Sequence, residues 1–393
     1  MDRRHRTMLT AGERHPSHRA CVTMSIEPFA LERWQSVHEH TVGINLSESG
    51  VHPLRLRDLL GPDDLEPLLE QRLGYSQTNG TIELRDRIAT FYPGATRTDI
   101  LVTNGGSEAN FIACWQLIAP GDQVVSIQPN YMQTPGLARA FGADVREVWL
   151  RADATRWSLD LDAVREAVTD RTRLIVVCNP NNPTGSRLTE AEVTGLCDIA
   201  ARHGCWILAD EIYRGAELDG RDTPSAWGRH DRVLITAGLS KVYGLPGLRV
   251  GWVAGPSDMI EHLWGRRDYT SIAPGAISDR LAQAALAPTR RGFLLQRARR
   301  ILSQNQATVA AWASTQPGVH QIPPEAGGVT LVRYAGRQRS TALADALRAE
   351  HDVLVVPGSH FDLDYYLRLG IGGESALLSE GLERLGRALA SQP

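Results

Sequence analysis

The chain has 393 residues, 42% hydrophobic and 22% charged, with 36 glycines and 21 prolines, an ordinary globular composition with room for two domains. Its formal net charge of −3 gives no overall attraction to nucleic acid or to an anionic membrane surface. Cys21, Cys114, Cys178, Cys197 and Cys205 lack metal-ligand spacing and mostly sit in apolar runs, which points to reduced core residues of a cytoplasmic protein with no metal centre. No apolar run approaches the roughly 18 residues that a membrane span requires.

Residues 1–23 are basic and His-rich without an apolar core, so they are no secretory signal and read as a disordered leader. The pattern then predicts a helix over 28–39 and a short strand over 42–46, followed by Ser47-Glu48-Ser49-Gly50. Short helices are expected at 56–60 and 65–72, around the Gly61-Pro62 break. A loop follows at 75–80, and a helix over 81–92 is stopped by Pro93-Gly94. From there β-branched, apolar runs recur at 100–103, 123–127, 145–149, 174–178, 206–209 and 233–236. Helical stretches such as 107–118, 161–168 and 189–203 lie between them. Apolar strands alternating with helices predict an α/β sheet covered on both faces.

Beyond about residue 275 the texture changes. A long helical stretch to 312, broken near Pro288, precedes strand-like pieces at 329–334, 353–356 and 366–369. Helices near 341–350 and 376–390 complete a smaller α+β domain. The expected division is a leader at 1–23, a segment at 24–50 packing with the smaller domain, a large domain at 51–280 and the small domain at 281–393.

Lys241 is the only lysine, so 41 of the 42 Lys and Arg residues are arginine. Arginine stays charged, whereas a desolvated lysine can lose its proton and attack a carbonyl. Lys241 follows an apolar run and precedes a Gly-Leu-Pro-Gly turn, which suits a Schiff-base nucleophile. In sheets of the predicted kind, ligands sit at the carboxyl ends of the strands. Gly105-Gly106-Ser107, Pro129-Asn130-Tyr131, the 179–185 string, the 210–213 string and Ser240-Lys241 all fall at such ends.

Their chemistry converges on a phosphorylated pyridine aldehyde. Asp210, leaving an apolar strand, can keep a ring nitrogen protonated. Gly105-Gly106-Ser107-Glu108 opens a helix whose first N–H groups suit a phosphate. Arg249, eight residues past the lysine, supplies a cation with a bidentate grip. In Asn179-Pro180-Asn181-Asn182-Pro183-Thr184-Gly185, two prolines restrict the backbone so that an asparagine can be held toward a ring oxygen.

From about residue 26 to its end the chain resembles the class I/II aminotransferases, fold-type I enzymes that use pyridoxal phosphate. The resemblance rests on Tyr75-x4-Gly80-x3-Leu84-Arg85, Asn104-Gly105-Gly106-Ser107-Glu108-Ala109, the 179–185 string and Asp210-x2-Tyr213. It rests further on the stretch from Ser240 through Arg249 to Gly251, and on Tyr366-Leu367-Arg368. It implies a large domain with a mostly parallel seven-stranded sheet, a smaller α+β domain, and pyridoxal 5'-phosphate as cofactor. Lys241 is then the Schiff-base residue and proton shuttle. Asp210 pairs with the pyridine nitrogen, Asn182 and Tyr213 with the ring hydroxyl, and Tyr131 stacks on the ring. Gly106, Ser107, Ser240 and Arg249 hold the phosphate. Arg368, assisted by Asn182, clamps the substrate α-carboxylate. Tyr75 reaches the phosphate in a neighbouring subunit, which implies a homodimer acting on a small amino acid, with no nucleic-acid or membrane partner.

One stretch departs from the usual pattern. Ordinary members carry a Gly near a Pro in the N-terminal substrate segment, whereas this chain reads Asn45-Leu46-Ser47-Glu48-Ser49-Gly50-Val51. That Ser-x-Ser-Gly-Val pattern is similar to the capreomycidine synthase-like branch, which eliminates the β-hydroxyl of a hydroxylated arginine and closes a ring with its guanidine. The resemblance implies substrate contacts at Glu48 and Gly50, with Glu48 facing a cationic side chain. Conventional transamination of another amino acid and oxygen-dependent arginine oxidation use the same first steps and stay open. A regulator's effector domain is disfavoured, because the leader is too short for a helix-turn-helix domain.

Overall fold

The computed structural model describes residues 26–391; the expected leader at 1–23, with Cys21, lies outside the described residues. Seven strands form the main sheet: β1 (Ile100–Thr103), β2 (Gln123–Gln128), β3 (Asp144–Trp149), β4 (Thr172–Cys178), β5 (Trp206–Asp210), β6 (Val233–Gly238) and β7 (Gly251–Ala254). Their spatial order is β1-β7-β6-β5-β4-β2-β3. Only β7 runs against its neighbours, pairing Gly251 with Thr103 on one side and with Gly238 on the other. Every residue of β1, β2, β6 and β7 is buried, which is why these strands read as continuous apolar runs rather than alternating ones.

The alternation of elements is therefore a mostly parallel, seven-stranded α/β sheet, as expected. One strand escaped the sequence pattern. Gly251–Ala254 is only 4 residues long and follows β6 through a loop rather than a helix, so the strand–helix rhythm does not announce it.

The predicted helix at 65–72 begins earlier, at Pro62–Leu69, because Gly61 caps it and Pro62 takes its first turn. The long helical stretch is broken at Ala287, giving Ala276–Leu286 and the 28-residue helix Pro288–Thr315. The run at 353–356 is two pieces. Val353–Leu354 pairs in parallel with Ile44–Asn45, whereas Val356–Pro357 pairs antiparallel with Tyr366–Gly370. The latter joins Val319–Gln321 and Val329–Tyr334 in a second, four-stranded sheet.

The segment 46–52 is laced between the two sheets by its backbone. Leu46 N–H donates to Leu354 O at 2.8 Å, Gly370 N–H to Leu46 O at 2.7 Å, and Val51 N–H to Lys241 O at 3.1 Å. Neighbouring glycines make that route possible. A Cβ on Gly370 would lie 2.0 Å from Glu48 O, and one on Gly50 would lie 3.0 Å from Lys241 Cα. The first helix, α1 (Ala30–His38), is anchored over this segment by Trp34 Nε1 donating to Val355 O at 2.9 Å and Gln35 Nε2 to Ser47 O at 2.9 Å.

Candidate active site

Because β1, β2, β4, β5 and β6 run in parallel, the loops leaving them meet along one edge of the sheet. A cavity of about 210 Å³ opens there, and its walls include Lys241, Asp210, Tyr213, Asn182, Tyr131, Gly106, Ser107, Ser240, Arg249, Arg368 and Glu48. Two of the named residues do not line this cavity: Tyr75, which was expected at a neighbouring subunit's site, and Gly50. Tyr75 is 88% exposed and outside the cavity. Gly50 backs the Lys241 main chain, leaving Glu48 and Ser49 to form the wall beside it.

Asp210 ends β5 half-buried, with Oδ2 accepting from Asn110 Nδ2 at 3.0 Å and Oδ1 from Ile212 N–H at 3.1 Å. Burial pushes its pKa up, while the Asn110 and Ile212 hydrogen bonds and the Lys241 charge pull it back toward the ionised form. Asn110 is itself fixed, accepting from Thr236 Oγ1 at 2.7 Å. Burial also lowers the Lys241 pKa, helped by Arg368 and Arg249 and opposed by Glu48 and Glu32. A neutral, nucleophilic amine is thereby brought closer to working pH. Tyr213 is 2% exposed, and burial raises its phenol well above the usual value, with Arg368 and a Ser49 hydrogen bond opposing.

At the cavity's other end, Gly105 caps α2 (Gly106–Leu117) with φ 85°, a conformation that suits glycine. The Arg249 guanidinium lies so close that a Cβ on Gly105 would sit 2.6 Å from its Nη2. A guanidinium thus adjoins the free N–H groups of a helix N-terminus, and both attract the same anion.

The three asparagines of the 179–185 string separate by their partners. Asn179 Nδ2 donates to Pro224 O at 2.9 Å, and Asn181 Nδ2 donates to Pro129 O at 2.9 Å; both are framework groups. Asn182 alone faces Arg368, whose Nη1 donates to its Oδ1 at 3.1 Å. Arg368 is 1% exposed, also donates to Ser47 O, and its Nε has no partner.

Three further polar wall residues carried no signal strong enough to be picked out: Asn110, Glu32 and Gln35. Asn110 was within reach, since it lies one helical turn past Gly106 and so shares its face. Glu32 was not. It arrives with α1, which tertiary packing lays across the cavity, and it accepts from Tyr131 Oη at 2.7 Å. Among the described residues, no group of three or more His, Cys, Asp or Glu is placed to hold a metal ion.

The sequence model for aminotransferase class I and II matches residues 67–385. The chain belongs to this family. It is 33% identical over 372 residues to capreomycidine synthase of Streptomyces vinaceus, covering 92% of this chain and 93% of that one. It is 27% identical to the arginine–pyruvate transaminase of Pseudomonas aeruginosa, covering 82% and 84% of the two chains. A pyridoxal phosphate-dependent aminotransferase of Streptococcus suis superposes with TM-score 0.88 at 33% identity, covering 94% of this chain and 99% of that chain.

This aminotransferase-family protein is accordingly a pyridoxal 5'-phosphate-dependent enzyme. The donor set fits that cofactor in three places: the Arg249–α2 cradle for a phosphate, the Asp210 carboxyl for a pyridine nitrogen, and the Lys241 amine for an aldehyde. No helix of the described residues is long and apolar enough to cross a membrane.

Proposed function

We propose that this enzyme acts on a cationic, arginine-type L-amino acid, eliminating a β-hydroxyl and closing a ring onto the β-carbon with the guanidine. The observation that carries the substrate class is the pairing of two carboxylates with two cations in one small cavity. Glu48 and Glu32 share its walls with Lys241 and Arg368; burial lowers the pKa of both cations, and the two carboxylates lie close enough to oppose that shift in each. A substrate carboxylate suits the Arg368 end, and a side-chain guanidinium then finds two acidic partners. The 33% identity to capreomycidine synthase favours the elimination route.

In this reading Arg368 grips the α-carboxylate, with Asn182 and Ser47 O fixing its planar fork. The cofactor, when bound, supplies an electron sink for the charge left on the α-carbon. Lys241 Nζ removes the α-proton and later returns one. Asp210, oriented by Asn110, keeps the proton on the ring nitrogen. Tyr213 and Asn182 are assigned to the ring hydroxyl, Tyr131 to the ring face, and Gly106, Ser107, Ser240 and Arg249 to the phosphate. The β-hydroxyl leaves as water and a guanidine nitrogen bonds to the β-carbon, so the net change is loss of one water.

The reading extends to a homodimer of two-domain subunits divided near residue 280. Leu69, Leu73, Tyr75 and Tyr269 are 79%, 84%, 88% and 81% exposed, which suits a surface covered by a second copy bringing Tyr75 to its neighbour. The decisive experiment mixes holoenzyme with β-hydroxyarginine and no 2-oxo acid. Release of a cyclised product one water lighter supports elimination. Turnover that requires a 2-oxo acid supports transamination, which the arginine–pyruvate transaminase relative makes the second reading. Glu48→Gln is expected to weaken binding of arginine-type substrates by roughly three- to tenfold, the range for a partly exposed ion pair. Equal affinity for alanine, aspartate and arginine would sink the substrate assignment.

A further inference from the structure

A second cavity, about 480 Å³ and larger than the first, shares the Ile212 side chain with it. Its walls carry three arginines, Arg214, Arg291 and Arg299, against the carboxylates of Glu211 and Asp222. The charges do not cancel in place. Arg299 is matched by Glu217 at 3.1 Å and Asp222 at 3.7 Å. Arg214 has Glu211 at 3.5 Å, the edge of hydrogen-bond range. Glu211 is engaged on its other oxygen, where Oε1 accepts from Ser225 Oγ at 2.6 Å and Ala226 N–H at 3.3 Å.

Arg291 has no carboxylate within ion-pair distance among the described residues. Its Nε donates to Tyr243 Oη at 3.2 Å, and its guanidinium carbon lies 4.2 Å from the centre of the Phe91 ring. No acceptor among the described residues takes its two terminal nitrogens. A guanidinium fixed by a ring face and a tyrosine, with its forked edge open, is already ordered for a bidentate oxyanion. Arg291, Tyr243 and Arg214 all line this cavity, so the two cations face a common space.

We propose that this cavity is a second anion site, separate from the cofactor's phosphate cradle, which takes a compact phosphate or carboxylate between Arg291 and Arg214. The mouth is open to solvent, since Asp222 is 81% exposed. The occupant touches the loops that carry the reaction centre: Glu211 directly follows Asp210, and Tyr243 lies two residues past Lys241. A small oxyanion of metabolism can thereby stabilise the supports of both catalytic groups without entering the substrate cavity.

The test uses holoenzyme, whose cofactor fills the first phosphate cradle. Inorganic phosphate and, separately, citrate are titrated by calorimetry at constant ionic strength held with chloride. The expected result is saturable binding of one or both by the native enzyme, weakened about tenfold or more in Arg291→Gln and in Arg214→Gln through loss of a charge-assisted contact. Binding of phosphate alone assigns a phosphate site; binding of citrate alone assigns a carboxylate site. Arg291→Gln should keep its cofactor content and its anion-free kcat/KM, which separates loss of the site from misfolding. Absence of saturable binding by either anion overturns the proposal. So does undiminished binding in both variants, because the anion then sits elsewhere, for example at Arg368.

Discussion

Asn110→Ala tests how the site keeps Asp210 ionised. Asn110 Nδ2 donates to Asp210 Oδ2 at 3.0 Å, and Asn110 is held for that task by Thr236 Oγ1 at 2.7 Å. A hydrogen bond to a charged acceptor contributes about 1.5–3 kcal/mol. It stabilises only the ionised carboxylate, so its loss raises the Asp210 pKa, in the direction burial already pushes it. At 1.36 kcal/mol per unit, the rise is roughly one to two units. The assay is the pH profile of kcat/KM, whose acid limb reports the free holoenzyme. Asn110→Ala should move that limb to higher pH by this amount. Thr236→Val, which frees Asn110 without removing it, should move it less. An acid limb that overlays the native one in Asn110→Ala refutes the reasoning, whatever happens to kcat.

Lys241→Ala should abolish turnover and covalent cofactor attachment together, because no second lysine exists to substitute for it. Borohydride reduction followed by peptide mass mapping should place the cofactor on the Lys241 peptide of the native enzyme and on none in the variant. Gly370→Ala would drive a Cβ to 2.0 Å from Glu48 O, so overpacking should cost about 1–3 kcal/mol or more in urea unfolding. It should also raise KM by displacing the segment that carries Glu48. Burial and the nearby Arg368 push His360 down from 6.5 to about 4. The unfolded chain therefore binds more protons than the folded one between these values, and stability present above pH 6.5 is lost as pH falls toward 4. After allowance for its partial exposure this is on the order of 1–3 kcal/mol, and His360→Gln should flatten the melting temperature over that window by a corresponding amount.

Much of the site was legible because its residues sit at strand ends, and strand ends are marked locally. An apolar run followed by Gly-Gly-Ser, by Asn-Pro or by Asp-Glu is a short-range pattern, and parallel pairing brings such ends together. The same logic made Lys241 stand out, since a lone amine among 41 arginines is visible without any fold. The family resemblance named Asn182, but nothing local in the string says why that asparagine of the three faces Arg368. Asn179 and Asn181 are taken by carbonyls 45 and 52 residues away, and only those distant contacts leave Asn182 for Arg368.

What the sequence by itself determined was the set of chemical groups: a lone amine, an acid and a glycine-rich turn at the strand ends of an α/β sheet, with an arginine from the smaller sheet. What only tertiary structure decided was the surroundings that tune and select. Glu32 enters because α1 packs Leu31 against Val356 and Phe361, hundreds of residues away in the chain. Glu48 and Ser49 form the wall because glycines 370 and 50 let one backbone lie on another. Arg291 is left with an open edge because Phe91 and Tyr243 meet it from other elements. Catalytic groups are named by local residue type; the low-dielectric packing and long-range charges that set their pKa and their substrate arise only when the chain closes on itself.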